Sequence, residues 1–329
     1  MANQILEWLL DSDPSLRWQV QRDLADEPEQ VWRETLARVP LEGHGAALLA
    51  HQEPTGMWAG GAFFPADATR DEPQPWTATT WSLNQLREWG VDPSAVLEGT
   101  ADLLERNARW EYDDLPFWDG EVDACINAFT LANGAWLGHD VTTLRNWFPE
   151  HQMDDGGWNC EWVEGSVRGS FHSTLNVLTG ILDYERRTGD TFLRPNRHRA
   201  EEYLLVRALM RRLSTGERHE GWATHFSYPY RGWYSVLRAL DYFRQAALFD
   251  GVGPDERLRE AVEFVRDTRH ADGTWHQQVA KAGRVWFEVD AGAGEPSRWL
   301  TFHALRVLRW WDAAHQHRLT PAAAPSPPG

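Results

Sequence analysis

Gln52-Glu53-Pro54-Thr55-Gly56-Met57-Trp58 and Gln152-Met153-Asp154-Asp155-Gly156-Gly157-Trp158 are two copies of one pattern: glutamine, three residues, glycine, one residue, tryptophan. Arg269-His270-Ala271-Asp272-Gly273-Thr274-Trp275 keeps the glycine and tryptophan with arginine in the glutamine's place, and Glu220-Gly221-Trp222 is a shorter relative. Recurrence in units of about 50 to 60 residues marks a repeat architecture, with one more copy blurred near Trp110 and Trp118. Outward from each turn, apolar residues recur at three- and four-residue spacing, the period of a helix with a buried face. Such helices are expected over 76–90, 121–137, 170–188, 230–247 and 297–315. More polar helices are expected between them, over 94–108, 142–152, 196–213 and 255–268, with Pro93, Pro195 and Pro254 near their starts, where proline's missing N–H has no partner to lose. With an opening pair over 4–36, the pattern predicts an all-α fold, an α/α toroid of roughly six helical hairpins whose pocket lies at the mouth of the inner ring. Residues 1–315 are read as a single domain and 316–329 as a disordered proline-rich tail. No stretch has the period-two alternation of a strand.

Lys+Arg 32 against Asp+Glu 49 leaves −17, a field that repels phosphates and excludes nucleic acid as a partner. Lys281 is the single lysine, so the positive charge is nearly all arginine. Two cysteines, Cys125 and Cys160, exclude a disulfide scaffold and suit a reducing compartment. With no apolar run of the roughly 18 residues a spanning helix needs and no leader-like start, the chain is expected to be cytoplasmic, without a transmembrane segment. Twenty tryptophans are well above ordinary usage, so the fold must use indoles repeatedly.

The glutamine–glycine–tryptophan turns between helix pairs, with the tryptophan excess, resemble the squalene cyclase and protein prenyltransferase β-subunit superfamily over about residues 45–315. The resemblance implies that Gln52, Trp58, Gln152, Trp158 and Trp275 are structural staples, the indole packing on the neighbouring turn and the glutamine capping the next helix. It implies a hydrophobic ligand of isoprenoid type. A narrower resemblance links Asp123-Ala124-Cys125, followed by His172 at the next helix start, to the catalytic zinc ligands of prenyltransferase β-subunits. Asp123, Cys125 and His172 would then hold Zn, with Cys160 as an optional fourth ligand that would close the site and make it structural. A Cys125–Cys160 disulfide and simple burial of both thiols are the other readings. Two departures stand beside this. The prenyltransferases hold a diphosphate with bases just upstream of the D-x-C, where this chain has Asp119 and Glu121; the cyclases' D-x-D-D acid motif is absent.

Asp113, Asp114 and Glu288 are the carboxylates at hand for acid–base chemistry. Paired carboxylates would also serve a six-hairpin glycoside hydrolase or lyase, the competing reading; a zinc-stabilised toroid that only binds is the third. Aromatic and arginine side chains at expected helix mouths, namely Trp118, Phe171, Tyr230, Arg231, Trp233, Tyr234, Trp286, Arg298 and Trp299, are assigned to the rim of the pocket. There, ring faces attract apolar chains and cations and guanidinium groups contact anions. Ser297 is read as a helix N-cap.

Overall fold

A computed structural model describes residues 2–319 of the chain; the expected tail lies outside the described residues from position 320 onward. The structure is mostly helical. Four helices open it: α1 (Ala2–Leu10), α2 (Pro14–Asp23), α3 (Glu29–Arg38) and α4 (Gly43–Leu49). Five more follow as the series of long helices, α5 (Thr79–Glu88), α7 (Ala124–Leu137), α9 (Phe171–Thr188), α11 (Val236–Asp250) and α13 (Arg298–Leu319), all but the ten-residue α5 being the longest of the structure. Between them stand α6 (Thr100–Asn107), α8 (Thr142–Glu150), α10 (Arg194–Leu205) and α12 (Arg259–Asp267). The only strands among the described residues, β1 (Trp275–His276) and β2 (Pro296–Ser297), pair antiparallel.

Composition decides which helices are enclosed. Helix α7 is apolar almost all round and is buried on nearly every face, whereas α12 buries only the stripe Ala261, Val262 and Val265, as expected of an amphipathic surface helix. Successive long helices pack on one another, α5 on α7, α7 on α9, α9 on α11 and α11 on α13; α13 then meets α2, α2 meets α4, and α4 meets α5, so the contacts return to their start. Neighbours run parallel. Trp81 and Asn84 of α5 face Phe129 and Asn133 of α7, and Asn176 and Arg186 of α9 face Arg238 and Gln245 of α11. Parallel neighbours in sequence need a return segment, which the shorter helices provide. The main hydrophobic cluster extends from Ile5 to Trp311, and a second, smaller one comprises Ala78, Trp81 and Phe129. Among the described residues no helix is long and apolar enough to cross a membrane.

The tryptophan turns recur atom for atom. The indoles of Trp58, Trp158 and Trp275, all 0–1% exposed, donate to the carbonyls of Leu48, Phe148 and Val265, each ten residues upstream at the end of a shorter helix. Their backbone N–H groups donate to the hydroxyls of Thr79, Thr174 and Thr301 at the start of the next long helix. Each turn is thereby pinned to the helix before and the helix after it. Gln52 reaches Gly56 O, Thr100 and Leu97 N, and Gln152 reaches Gly156 O and Asn196, so both glutamines secure the start of the following shorter helix. In the third copy Arg269 Nε donates to Gly273 O in the glutamine's place. Gly56, Gly156 and Gly273 have φ of 86°, 92° and 87°, the left-handed region that favours glycine.

Several boundaries differ from the periodicity. Helix α11 starts at Val236, capped by Ser235, because positive φ at Arg231 and Gly232 keeps the preceding residues in a turn. Helix α6 starts only at Thr100, since Pro93–Ala95 forms a separate 3-10 turn that ends in extended Val96. Helix α13 runs four residues past 315, to Leu319, no breaker intervening before Pro321. Ser297 caps α13 through Leu300 N.

Candidate functional site

The circuit of helices leaves a cavity of about 470 Å³, lined by α2, α5, α9, α11 and α13 and by the turns around 229–232 and 285–289. One wall is aromatic. Trp76 stands edge-on to Trp81 at 4.8 Å, and Trp81 packs on Phe129 at 5.8 Å. Trp286, stacked on His51 at 3.9 Å, is fixed by an indole bond to Thr77 O. The Arg231 guanidinium lies over Trp76 at 5.0 Å, and burial lowers its pKa to about 10.

The rest of the lining is charged and mostly cationic, with eight arginines against the three carboxylates of Glu88, Asp183 and Asp241. In a chain of net charge −17 this is a local reversal of sign. Asp241 accepts from Arg306 and Arg244; burial alone would raise its pKa, but those arginines and His303 outweigh burial and hold it well below the carboxylate range. Arg87 pairs with Asp183 at 2.8 Å. Glu88 is exposed to the cavity space yet ringed by protein. Burial pushes its carboxyl up to about 7, against the Tyr228 hydroxyl and the charges of Arg238, Arg306 and Arg87. Glu88 is therefore the acid–base group of the cavity that changes charge near neutral pH.

Of the expected rim residues, Tyr230, Arg231 and Trp286 line this cavity. The others do not. Trp118 is buried beside α6, its indole on Ala101 O and its ring on His139. Phe171 and Tyr234 belong to a buried ring cluster with Tyr203 and Trp222. Trp233 is 44% exposed under the Lys281 ammonium at 3.8 Å. Arg298, Trp299 and Glu288 border a second cavity of about 370 Å³. Asp113 and Asp114 occupy an exposed turn with φ of 52° and 54°, and neither these two nor Glu288 lines the central cavity. The sequence reading missed Glu88, Arg238, Asp241, His303 and Arg306. No pattern in the sequence set them apart, since each lies on a helix that carries other polar or charged residues.

The expected metal ligands come together only in part. Cys125 and Cys160 are free thiols with sulfurs 3.1 Å apart, and Asp123 is hydrogen-bonded to Cys160. Burial raises the Asp123 pKa, while the bond from Cys160 lowers that of Cys125. The α9 side chains that reach Cys125 are the hydroxyl of Ser173 and the amide of Asn176, which donates at 3.2 Å. His172, one turn earlier, is drawn among the rings of Trp222, Trp233 and Tyr234; burial, then Arg238 and Lys281, lower its pKa to about 4. Among the described residues no group of three or more His, Cys, Asp or Glu is placed to hold a metal ion; Asp123, Cys125 and Cys160 adjoin one another, and His172 lies among the rings. Compared with known proteins, the chain matches no family model and no curated protein.

Proposed function

We propose that the chain is an α/α toroid of the squalene cyclase and protein prenyltransferase kind, and that its central cavity binds a hydrophobic ligand of isoprenoid type. The observation that carries this is the cavity itself, about 470 Å³ with a wall of Trp76, Trp81, Phe129 and Trp286, within the size of small-molecule sites. The closed circuit of helix contacts, the parallel long helices and the three superimposable tryptophan turns support the toroid. Ring faces suit an unsaturated chain, and Glu88 supplies a proton that can be exchanged near neutral pH. Zinc belongs to this proposal only as a question for metal analysis: Asp123, Cys125 and Cys160 are the donors at hand, and His172 would have to leave its ring cluster to join them.

Solvent extraction of the purified protein followed by mass spectrometry tests the reading. A polyprenyl species recovered near one per chain supports it. A sugar, or a ligand without an apolar chain, in that position contradicts it.

A further inference from the structure

Two buried donors at the cavity have no acceptor. The Tyr230 hydroxyl and His303 Nε2 are buried atoms without a hydrogen-bond partner, on residues that line the cavity with ring centroids 5.2 Å apart. Histidine's role follows from its neighbour. Arg306 has only donors, and it lies 2.8 Å from His303 Nδ1. Nδ1 therefore accepts, and the neutral ring carries its proton on Nε2. Asp241 Oδ2 stands farther off, 3.7 Å from Nδ1; burial, then Arg306, outweigh its raising effect and lower the His303 pKa to about 4, so the ring is neutral at pH 7. Beside these donors the Arg238 guanidinium stands 5.6 Å from the Tyr230 ring. It bonds to Asn176 Oδ1 and Trp233 O, neutral acceptors, and is absent from the ion pairs found among the described residues, whereas Arg244 and Arg306 are held by Asp241. Glu88 acts on Arg238 across the cavity, but burial suppresses its charge below about pH 7, and unmet donors beside an enclosed cation so weakly countered are costly unless something negative occupies the space.

Resting on the cavity reading above, we infer that the ligand is an amphiphilic oxyanion, a carboxylate or phosphate monoester on an apolar tail. Its oxygens sit at Tyr230, His303 and Arg238 and its tail against Trp76, Trp81, Phe129 and Trp286. The eight arginines of the lining give the head group a favourable field, and two neutral donors with a guanidinium match the several acceptor lone pairs of such a head.

Titration of the full chain with laurate, lauryl phosphate, lauryl alcohol and inorganic phosphate, below micelle concentrations at pH 7, tests the inference through tryptophan fluorescence. At least one anionic lauryl compound should bind ten-fold or more tighter than the alcohol. Tyr230→Phe and Arg238→Gln should each cut that preference below three-fold while leaving alcohol binding within two-fold. Tyr230→Phe removes only an unpartnered hydroxyl, so it keeps the test open if Arg238→Gln does not fold. Equal affinity for alcohol and anions overturns the inference and leaves the cavity reading standing. Inorganic phosphate binding as tightly as lauryl phosphate overturns the amphiphile, and failure of all four compounds to bind overturns the inference together with the cavity reading.

Discussion

The indole of Trp158 donates to the carbonyl of Phe148 at 3.0 Å, ten residues upstream, closing a shorter helix onto the turn that follows it. Because the ring is fully buried, Trp158→Ala should cost about 3–5 kcal/mol in denaturant unfolding, as for a large core aromatic. Trp58→Ala and Trp275→Ala should fall in the same range. A loss below about 1 kcal/mol at Trp158 would show that the turn is not a staple.

Arg197 joins three helices from a fully buried position. It donates to Glu185 at 3.1 Å, to Glu201 at 2.8 Å and to Asp250 at 2.7 Å, with Glu185 itself buried. Removing the cation strands carboxylates in the interior, so Arg197→Ala should destabilise by about 3–5 kcal/mol. Calorimetry at pH 7 measures it; a melting temperature unchanged from wild type would refute the role.

Glu88 sets a pH dependence whose sign is fixed. Its folded pKa, about 7, lies above the ordinary 4.5, so the fold opposes its ionisation. The resulting destabilisation grows as pH rises from about 4.5 to about 7 and is complete above that. Glu88→Gln should therefore raise the melting temperature at pH 8 relative to wild type and change it little at pH 4. Ionised Glu88 also adds negative charge to the cavity, so anionic ligands should bind more weakly at pH 8 than at pH 6, a difference that Glu88→Gln abolishes.

The Cys125 and Cys160 sulfurs, 3.1 Å apart, are close enough to be joined with little backbone movement. Diamide, which takes up the two thiol hydrogens, should convert them to an intramolecular disulfide, seen as a loss of about 2 Da and of alkylation at both positions. Independent alkylation of both thiols after that treatment would contradict the pairing. Stoichiometric zinc in untreated protein, lost both in Cys125→Ser and in His172→Ala, would show that the two residues belong to one metal site.

The tryptophan staples could be read from the sequence because glycine and tryptophan at fixed spacing recur wherever a turn must be pinned to two helices. Helix periodicity likewise marked most of the helices, failing where backbone conformation intervened: at 228–232, at 96–99, and after Leu205, where positive φ at Ala208 and Leu209 ends the helix expected to reach 213; the pair expected over 4–36 is three helices, α1 to α3. The cavity chemistry was hidden for a different reason. Asp241 and Arg306 are 65 residues apart and Arg306 and Gln19 are 287 apart; only closure of the helix circuit brings them together, and periodicity alone cannot distinguish a charge facing a cavity from one facing water. Aromatics are equally ambiguous from position: Trp118 and Trp299 stand beside helix starts as Trp76 does, yet they pack as architecture. The ring contacts of His172 with Trp222, Trp233 and Tyr234 join segments distant in sequence, and periodicity does not reveal them.

The central claim is that the cavity between α5, α9, α11 and α13 holds an apolar chain. Titration with farnesol, followed by tryptophan fluorescence in wild type and in Thr179→Trp, tests it most directly, since Thr179 lines the cavity and an indole there would fill it. Saturable one-to-one binding to wild type, reduced ten-fold or more in a Thr179→Trp protein of unchanged helical content, is the result expected. No saturable binding to wild type, or equal binding to the filled variant, would contradict the account.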